Sequence, residues 1–533
     1  MRPLLERLGG FLPAAIALAL PAVFIPMAVD SYILPRAAIV IAGAGLGAGL
    51  ALLLPRGPGL GPLRLPLIAA GAAALVAFAF SVSWPLSLLG SYTRYESLPI
   101  RLSYLGLLAA PVWLLRDARS RDRVIPAFVL GTFIASVQAL GQQLLLNNHV
   151  IDYRPDGNLG NANLLGALLA MAIPLAVYRG LRGTRFLVAW GTAVAVMACA
   201  LVASTSRSGG LGALAGCLAL AVFSLKGRRV LAGAMVAVAI TGIALGMIVF
   251  SPLRLLNDDP GPTRLHLWPD AIHMIAARPV TGWGEDATGL VYGQFLSGDW
   301  APEVDRAHSG PLDVAATEGL LGLAALGWVL ITALRGVWPW RLRGSVGALA
   351  AACIGYTVWV FFNFDWAPAT GAFWLLAGTA WSGVQAAEQE DGLLAAGDGE
   401  PARRWRVLRS VGAVSLAVAV VWLGVMPVLA DIWYYHSRLD LAVAADPLQG
   451  RYRWALGDGL MASGFPTRGL NEMLLAARLG ESDPQLYLDI GDAEQGLGRS
   501  ADAHAAYQMA LKIDPYFVPA RQRLAGMGVP ASG

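Results

Sequence analysis

Long apolar segments alternate with short polar segments along most of the chain. Each apolar segment is long enough to cross the hydrocarbon layer of a bilayer, which is about 30 Å thick. Prolines inside several of them predict kinks rather than breaks, because neighbouring helices can satisfy the freed backbone groups. The pattern predicts thirteen membrane-spanning helices, at 11–29, 36–54, 65–81, 99–115, 124–142, 162–178, 185–203, 208–224, 229–250, 316–335, 345–363, 367–385 and 408–430.

The composition agrees with this pattern. Hydrophobic residues make up 56% of the chain and charged residues only 14%, whereas about a quarter of a soluble domain is charged. The net charge of +4 fits basic loops beside a membrane better than a nucleic-acid partner. All three cysteines fall inside apolar segments without metal-ligand spacing, so neither a metal site nor a disulfide framework is expected.

The distribution of basic residues predicts the orientation. With the N-terminus in the cytoplasm, the inner segments carry 21 lysines and arginines and the outer loops up to residue 407 carry nine. Cytoplasmic loops are enriched in these residues. The first apolar segment lacks a small-residue cleavage site after it, so we interpret it as a retained span. We therefore predict a multi-pass protein of the cytoplasmic (inner) membrane whose polar segment 251–316 is extracytoplasmic.

The remainder of the chain divides into a linker, a last span and a tail. Residues 386–407 are polar and rich in Gly and Ala, which predicts a flexible cytoplasmic linker before the span at 408–430. The tail, 431–533, has a soluble composition and lies on the outer side in this topology. Its segment YLDIGDAEQGLGRSADAHAAYQMALKIDP resembles the tetratricopeptide repeat, whose period is about 34 residues. Such an α-solenoid would bind a partner protein; the alternative is a cap that only stabilises the outer face.

Several outer arginines are candidates for anion binding. Arg207 lies in STSRSGG, where small hydroxyls and glycines allow an anion to approach a helix start. Arg264 opens the long polar segment and is followed by Trp268, which suits the headgroup level. Arg154 precedes a Gly- and Asn-rich turn, and Arg94, which we expect to act as a supporting residue together with Trp268, lies in GSYTRYES. Each of these arginines could instead be an ordinary interfacial side chain.

His308 is the candidate for proton transfer. Its imidazole can accept a proton near neutral pH, and it precedes a predicted helix that also carries Glu318. Glu318 could orient the imidazole, contact substrate or simply begin the span, and His308 could instead cap the helix. No paired carboxylates with metal-ligand spacing stand out in the outer loops, which favours chemistry without a metal or other cofactor.

Three segments resemble the O-antigen ligase and polymerase family: TSRSGG, RPVTGWG after Arg264 and Trp268, and AHSGPLDVAATEGLLGLAALG. The resemblance covers most of residues 11–385. It implies a GT-C-type membrane glycosyltransferase with twelve core spans, in residues 1–385, and a glycan donor on undecaprenyl pyrophosphate. It also implies that Arg207 and Arg264 contact the pyrophosphate and that His308 is catalytic. Ser309 stands where the family often has Asn.

The sequence as a whole predicts an all-α polytopic membrane protein with about twelve core spans, a thirteenth and a C-terminal α-solenoid. We expect an oligosaccharide ligase that transfers a glycan, with inversion, to a hydroxyl of a glycan, lipid or protein acceptor. His308 would take the proton, while Arg207 and Arg264, helped by Arg154, hold the pyrophosphate. The alternatives are a polysaccharide repeat-unit polymerase of the same family, a multi-span lipid or solute transporter, and a non-catalytic assembly scaffold.

Overall fold

The described part of the chain is built from α-helices and loops. The computed structural model describes residues 2–55, 59–146, 154–183, 186–224, 261–299, 304–392 and 403–527, with isolated residues 235, 239 and 242. This confirms the predicted fold class, a polytopic helical membrane protein. Most of the predicted span 229–250, residues 251–260 of the predicted polar segment and the centre of the predicted linker 386–407 lie outside the described residues.

Twelve of the thirteen predicted spans coincide with helices. The helices up to residue 435 are, in chain order, α1 Arg2–Ala22, α2 Ile33–Leu53, α3 Arg64–Ala79, α4 Trp84–Leu89, α5 Leu98–Leu114, α6 Ala118–Leu146, α7 Ala162–Arg182, α8 Leu187–Ala203, α9 Arg207–Ser224, α10 Gly261–Ala277, α11 Gly310–Thr317, α12 Gly319–Trp340, α13 Val346–Val360, α14 Ala367–Glu390, α15 Arg403–Val420 and α16 Met426–Tyr435. A π-helical turn joins α15 and α16 into one long helix.

Helix length and hydropathy support membrane insertion. Among the described residues, seven helices are long and apolar enough to cross a bilayer, and α5, α8, α9 and α13 are shorter apolar helices. Most helix ends differ by a few residues from the predicted spans. Helix α1 begins at Arg2, nine residues before its predicted span, because a polar first turn extends an apolar helix without raising hydropathy, and it ends at Ala22, seven residues before the predicted end. Helix α13 ends at Val360, three residues before the predicted end of its span.

Glycine contacts bring the central helices together. A Cβ atom at Gly209 of α9 would lie 2.7 Å from the Cα of Gly166 in α7, and one at Gly212 would lie 2.6 Å from the carbonyl oxygen of Gly355 in α13. Small residues of this kind allow helix backbones in a membrane to approach closely. The first turn of α9, which carries Arg207, is therefore held tightly between α7 and α13.

The C-terminal region is a set of helices that pack in consecutive pairs. The helices are α17 Leu439–Ala445, α18 Gly450–Ala462, α19 Pro466–Arg478, α20 Pro484–Gly496, α21 Ser500–Ile513 and α22 Val518–Gly526. Tyr507 of α21 packs against Gly491 of α20, where a Cβ atom would lie 2.3 Å from the tyrosine ring. Asp483 caps α20 by accepting a hydrogen bond from the backbone N–H of Gln485, at 2.9 Å.

A buried carboxylate joins this C-terminal region to the helix bundle. Asp431, near the end of α16, accepts hydrogen bonds from the Tyr92 hydroxyl (2.6 Å), the Tyr452 hydroxyl (3.1 Å) and the backbone N–H of Asp30 (2.8 Å). These three donors come from the loop after α4, from α18 and from the loop after α1. The C-terminal helices are consequently held at the end of the bundle where those two loops lie.

Candidate functional site

A six-residue loop between α13 and α14, Phe361–Trp366, contacts three of the candidate site residues, His308, Trp268 and Arg94. We call it the aromatic loop, from its sequence FFNFDW. It reaches α9 through Asn363, whose side-chain N–H groups donate to the hydroxyl of Ser208 and the carbonyl of Trp359, both at 2.9 Å. Its other side chains contact α10, the segment before α11, and the loop that carries Arg94. Segments distant in sequence therefore meet at one short loop.

His308 packs edge-on against Phe364 of the aromatic loop, with ring centroids 5.2 Å apart. Its backbone has a φ of 52°, a left-handed conformation that few side chains adopt without strain. Burial lowers the pKa of His308 to about 4; Asp305 opposes this shift, and Arg264, Arg94 and Arg306 add to it. The imidazole is therefore neutral at physiological pH, and its ring nitrogens include a proton acceptor.

Arg264 and Trp268 occupy successive turns of α10. The indole ring of Trp268 lies against two rings of the aromatic loop, at 6.1 Å from Phe361 and 6.5 Å from Phe362, the second pair being stacked. The charge of Arg264 contributes to the lowered pKa of His308, so the two side chains lie within electrostatic reach of each other. The structure thus brings together the arginine, tryptophan and histidine that the sequence singled out in segment 251–316.

Arg154 binds the turn between α8 and α9. Its Nε donates to the Thr205 hydroxyl at 2.9 Å, and its Nη2 donates to the Asn163 side chain at 3.0 Å and to the carbonyl of Ser204 at 3.1 Å. Thr205 has a φ of 51°, which is rare for a β-branched residue. Arg207 is the first residue of α9, two positions beyond Thr205. Arg154 therefore contacts the strained turn that immediately precedes Arg207.

Arg94 is held in an ion pair beside His308. Its guanidinium donates to both carboxylate oxygens of Asp305, at 2.6 and 3.2 Å, and lies over the rings of Phe364 (4.8 Å) and Trp366 (4.9 Å). Trp366 in turn donates from its indole N–H to the carbonyl of Thr93, at 3.2 Å. The predicted supporting residue Arg94 thus fixes Asp305, which is three positions before His308.

Two buried carboxylates anchor the same segment. Asp286 forms an ion pair with Arg306 and also accepts hydrogen bonds from the backbone N–H groups of Ser91 (2.8 Å) and Glu96 (3.1 Å). Asp313 accepts one from the backbone N–H of Ala307, at 2.8 Å. Burial raises the pKa of Asp313 to about 7. Asp286 and Asp313 therefore hold Arg306 and Ala307, the two residues that precede His308.

Arg101, near the start of α5, is the centre of a charged cluster that the sequence reasoning missed. It pairs with Asp365 of the aromatic loop (2.6 Å), Glu318 (2.9 Å) and Glu285 (3.1 Å). Only 13% of the Arg101 side chain is exposed. Burial raises the pKa of Glu318 well above its usual range, and Glu285 adds to the rise. Glu318, predicted as a possible partner of His308 or of substrate, thus contacts Arg101.

One sequence signal could have indicated this cluster. A charged residue inside an apolar span is costly and marks a functional or structural site by default, and Arg101 lies just inside the predicted span 99–115. Its three carboxylate partners come from three other segments. Their proximity is therefore a property of the packed structure that no local pattern shows.

Fold and site together define a polytopic helical membrane protein with a cluster of arginines and a histidine at one end of its helix bundle. Residues 192–327 match the family model described as O-antigen ligase. This match supports the predicted O-antigen ligase family for the matched segment. No curated protein matches the chain.

The matched segment begins within α8 and ends within α12. It includes Arg207, Arg264 and His308, whereas Arg154 and the aromatic loop lie outside it. The match supports a function of the O-antigen ligase or polymerase type, by a membrane glycosyltransferase-like enzyme. For the family in general, this implies a lipid-linked glycan donor and a glycan acceptor.

Proposed function

We propose that the protein transfers a glycan from undecaprenyl pyrophosphate to an acceptor hydroxyl at the extracytoplasmic face of the cytoplasmic membrane. One observation carries the proposal: the aromatic loop contacts His308 and Trp268 directly and is hydrogen-bonded to the first turn of α9, which carries Arg207. Arg154 binds the turn just before α9. A proton acceptor and three candidate phosphate ligands are therefore gathered at one end of the bundle.

The proposed reaction is a direct displacement at the anomeric carbon. The acceptor oxygen forms the new bond on the face opposite the pyrophosphate, and the bond from the anomeric carbon to the pyrophosphate oxygen breaks. The electron pair of that bond leaves with the pyrophosphate, while the acceptor proton passes to His308. The configuration at the anomeric carbon is inverted. Arg207 and Arg264, helped by Arg154, hold the departing anion, because guanidinium groups match phosphate oxygens bidentately.

The electrostatics of the empty protein suit this order of events. The pKa of His308 is lowered to about 4 partly by neighbouring arginines. A bound pyrophosphate brings negative charge to these arginines, and a nearby negative charge raises a histidine pKa. The imidazole would then move toward the range in which a general base works best. Donor binding thus prepares the base before the acceptor loses its proton.

The paired C-terminal helices fit the tetratricopeptide-like domain predicted for 431–533, and we propose that this domain faces the same compartment as His308. The Asp431 junction, which ties α16 and α18 to the loops after α1 and α4, supports this placement. A docking domain on that side would bring the acceptor, or a protein that delivers it, to the site.

The proposal is tested by replacing His308 in cells that lack the native protein. We expect His308→Ala to lower transfer by about 10²–10⁴-fold, the usual cost of losing a general base. Mass spectrometry of surface glycans and glycoproteins identifies the acceptor that becomes bare, and the lipid-linked donor should accumulate. His273→Ala is the matched control, since His273 is an exposed histidine of α10. Near-normal transfer by His308→Ala, at equal protein level in the membrane, would refute the proposed mechanism.

A further inference from the structure

A polar cleft of about 330 Å³ lies between the helix bundle and the C-terminal helices. Its bundle wall comes from the loops that carry Arg94, Asp305 and Arg306. Its opposite wall comes from Arg451 on α18 and from the turn before α20, which carries Glu481 and Asp483. The cleft is therefore shared between the part of the chain that holds the candidate base and the C-terminal region, to which no role in the chemistry has been assigned.

The bundle wall of the cleft is continuous with the surroundings of His308. Asp305 and Arg306 line the cleft and precede His308 by three and two residues. Arg94 also lines it, and its guanidinium lies 4.8 Å from the ring of Phe364, which packs against the imidazole. A molecule that fills the cleft would therefore contact Arg94, which is separated from the imidazole by the ring of Phe364. This position suits an acceptor better than the lipid-linked donor, whose proposed arginine ligands lie on α9 and α10.

The size of the cleft limits what it can hold. Pockets for small molecules have volumes of about 300–1,000 Å³, so the cleft is at the small end of that range. A folded protein partner would need a surface of about 800 Å². The cleft therefore fits the terminal units of a chain molecule rather than the face of a globular protein.

The lining favours sugars over peptide. Both walls of the cleft carry carboxylates as well as guanidinium groups, and Ser91 and Ser482 add hydroxyls. Sugar hydroxyls both donate and accept hydrogen bonds, so they can use both kinds of charged group. Peptide grooves instead combine a strand edge or an apolar stripe with pockets for alternate side chains. Arg451 is already positioned, since it pairs with Asp483 at 3.4 Å and lies over the Trp454 ring at 4.5 Å.

We infer that this cleft binds the terminal sugars of a glycan acceptor and presents one hydroxyl to His308. The inference rests on the proposed function and adds to it the place where the acceptor sugars bind and the C-terminal residues that contact them. That region would select the acceptor with Arg451 and the turn before α20, while the bundle supplies the donor site and the base.

Binding is measured separately from transfer, with the full-length protein in lipid nanodiscs. The probe is a fluorescently end-labelled oligosaccharide pool, released by mild acid from the surface polysaccharide of the same cells and followed by fluorescence anisotropy. We expect saturable binding that Arg451→Ala weakens by about 10-fold or more, the effect of losing hydrogen bonds to a charged group. Ser482→Trp should block binding by filling the cleft.

The matched control is Arg453→Ala. Arg453 lies two residues from Arg451 on α18 and has its own ion pair, with Glu472 at 2.9 Å, but it does not line the cleft; its variant should bind the probe like the wild type. Equal effects of the two arginine variants, or the absence of saturable binding, would overturn the inference. Saturable binding of labelled envelope-protein peptides in place of the saccharides would overturn the glycan as occupant. His308→Ala should still bind the probe, because His308 is not expected to hold the sugars. If this variant also kept normal transfer, the proposed mechanism would be refuted, whereas the assignment of the cleft would not be affected.

Discussion

The hydrogen bond between Asn363 and Ser208 connects the aromatic loop to the helix that begins with Arg207. Its two atoms are 2.9 Å apart, and the two residues are only 4% and 7% exposed. If this bond fixes the position of Arg207, a proposed donor ligand, relative to His308, the proposed base, then removing either partner of the bond should impair the reaction in the same way. The pair is therefore suited to a double-mutant cycle with Asn363→Ala and Ser208→Ala.

The expected magnitudes follow from the contacts. A buried neutral hydrogen bond contributes about 0.5–1.5 kcal/mol. If the bond positions the site, Ser208→Ala should therefore raise the activation free energy derived from kcat/KM by about 1 kcal/mol. Asn363→Ala also removes the bond to the Trp359 carbonyl and leaves the Ser208 hydroxyl buried without Asn363, which should bring its cost to about 2–3 kcal/mol. The double variant should resemble Asn363→Ala alone, because the shared bond is lost only once. The coupling should be about 1 kcal/mol.

The assay is kcat/KM for a radiolabelled lipid-linked donor in membranes from cells that also supply the acceptor. A coupling of about 1 kcal/mol corresponds to a roughly five-fold departure from independent effects. Thr379→Val is the control, since Thr379 has a buried hydroxyl that donates to the carbonyl of Leu375 at 2.8 Å, three turns along α14 from the aromatic loop. Independent effects of the two replacements, or an equal loss in Thr379→Val, would refute the idea that the bond fixes the position of Arg207 relative to His308.

Two further predictions concern charge. The pKa of His308 is lowered to about 4 and the base acts unprotonated, so kcat/KM should be level near neutral pH and fall as the pH drops through about 4. Asp305→Asn removes a charge that raises this pKa, so it should shift this acidic fall in kcat/KM to lower pH. A fall at the same pH in the variant would exclude His308 as the titrating group. Arg101→Gln should destabilise the protein by about 3–5 kcal/mol, the cost of leaving buried carboxylates without their cation. The thermal midpoint of the monodisperse peak in size-exclusion chromatography measures this loss, and wild-type stability would show that Arg101 does not neutralise the cluster.

Hydropathy predicted most of the bundle because a membrane span needs a long apolar run, and this requirement is local. The same property misplaced the aromatic loop. Phe361, Phe362 and Asn363 were assigned to the span 345–363, since two of the three residues are apolar, but α13 ends at Val360. The polar residues Asn363 and Asp365 and the proline at 368, in the first turn of α14, were the available signals for a loop. Hydropathy averaging concealed them.

Only some of the candidate site could be predicted from the sequence, because only some of its residues are close together along the chain. His308, Arg264 and Trp268 share one polar segment, so their association could be proposed from sequence. Arg101 has carboxylate partners near residues 285, 318 and 365, which only the packed bundle brings together. Arg94 was predicted as a supporting contact on the strength of its loop alone. Its bidentate pair with Asp305 favours a positioning role, which the sequence could not distinguish from direct contact with pyrophosphate.

Backbone strain provides an independent reason to place the function here. Thr93, Thr205 and His308 have φ values of 72°, 51° and 52°, and each lies within two residues of a site arginine. A residue held in such a conformation costs about 1–3 kcal/mol and persists only where the surrounding contacts determine it. Those contacts are present, since Arg154 bonds the Thr205 hydroxyl and Trp366 bonds the Thr93 carbonyl. Three ordinary loops could relax without loss; three strained turns fixed around one loop are better explained by a requirement for exact placement of the groups they carry.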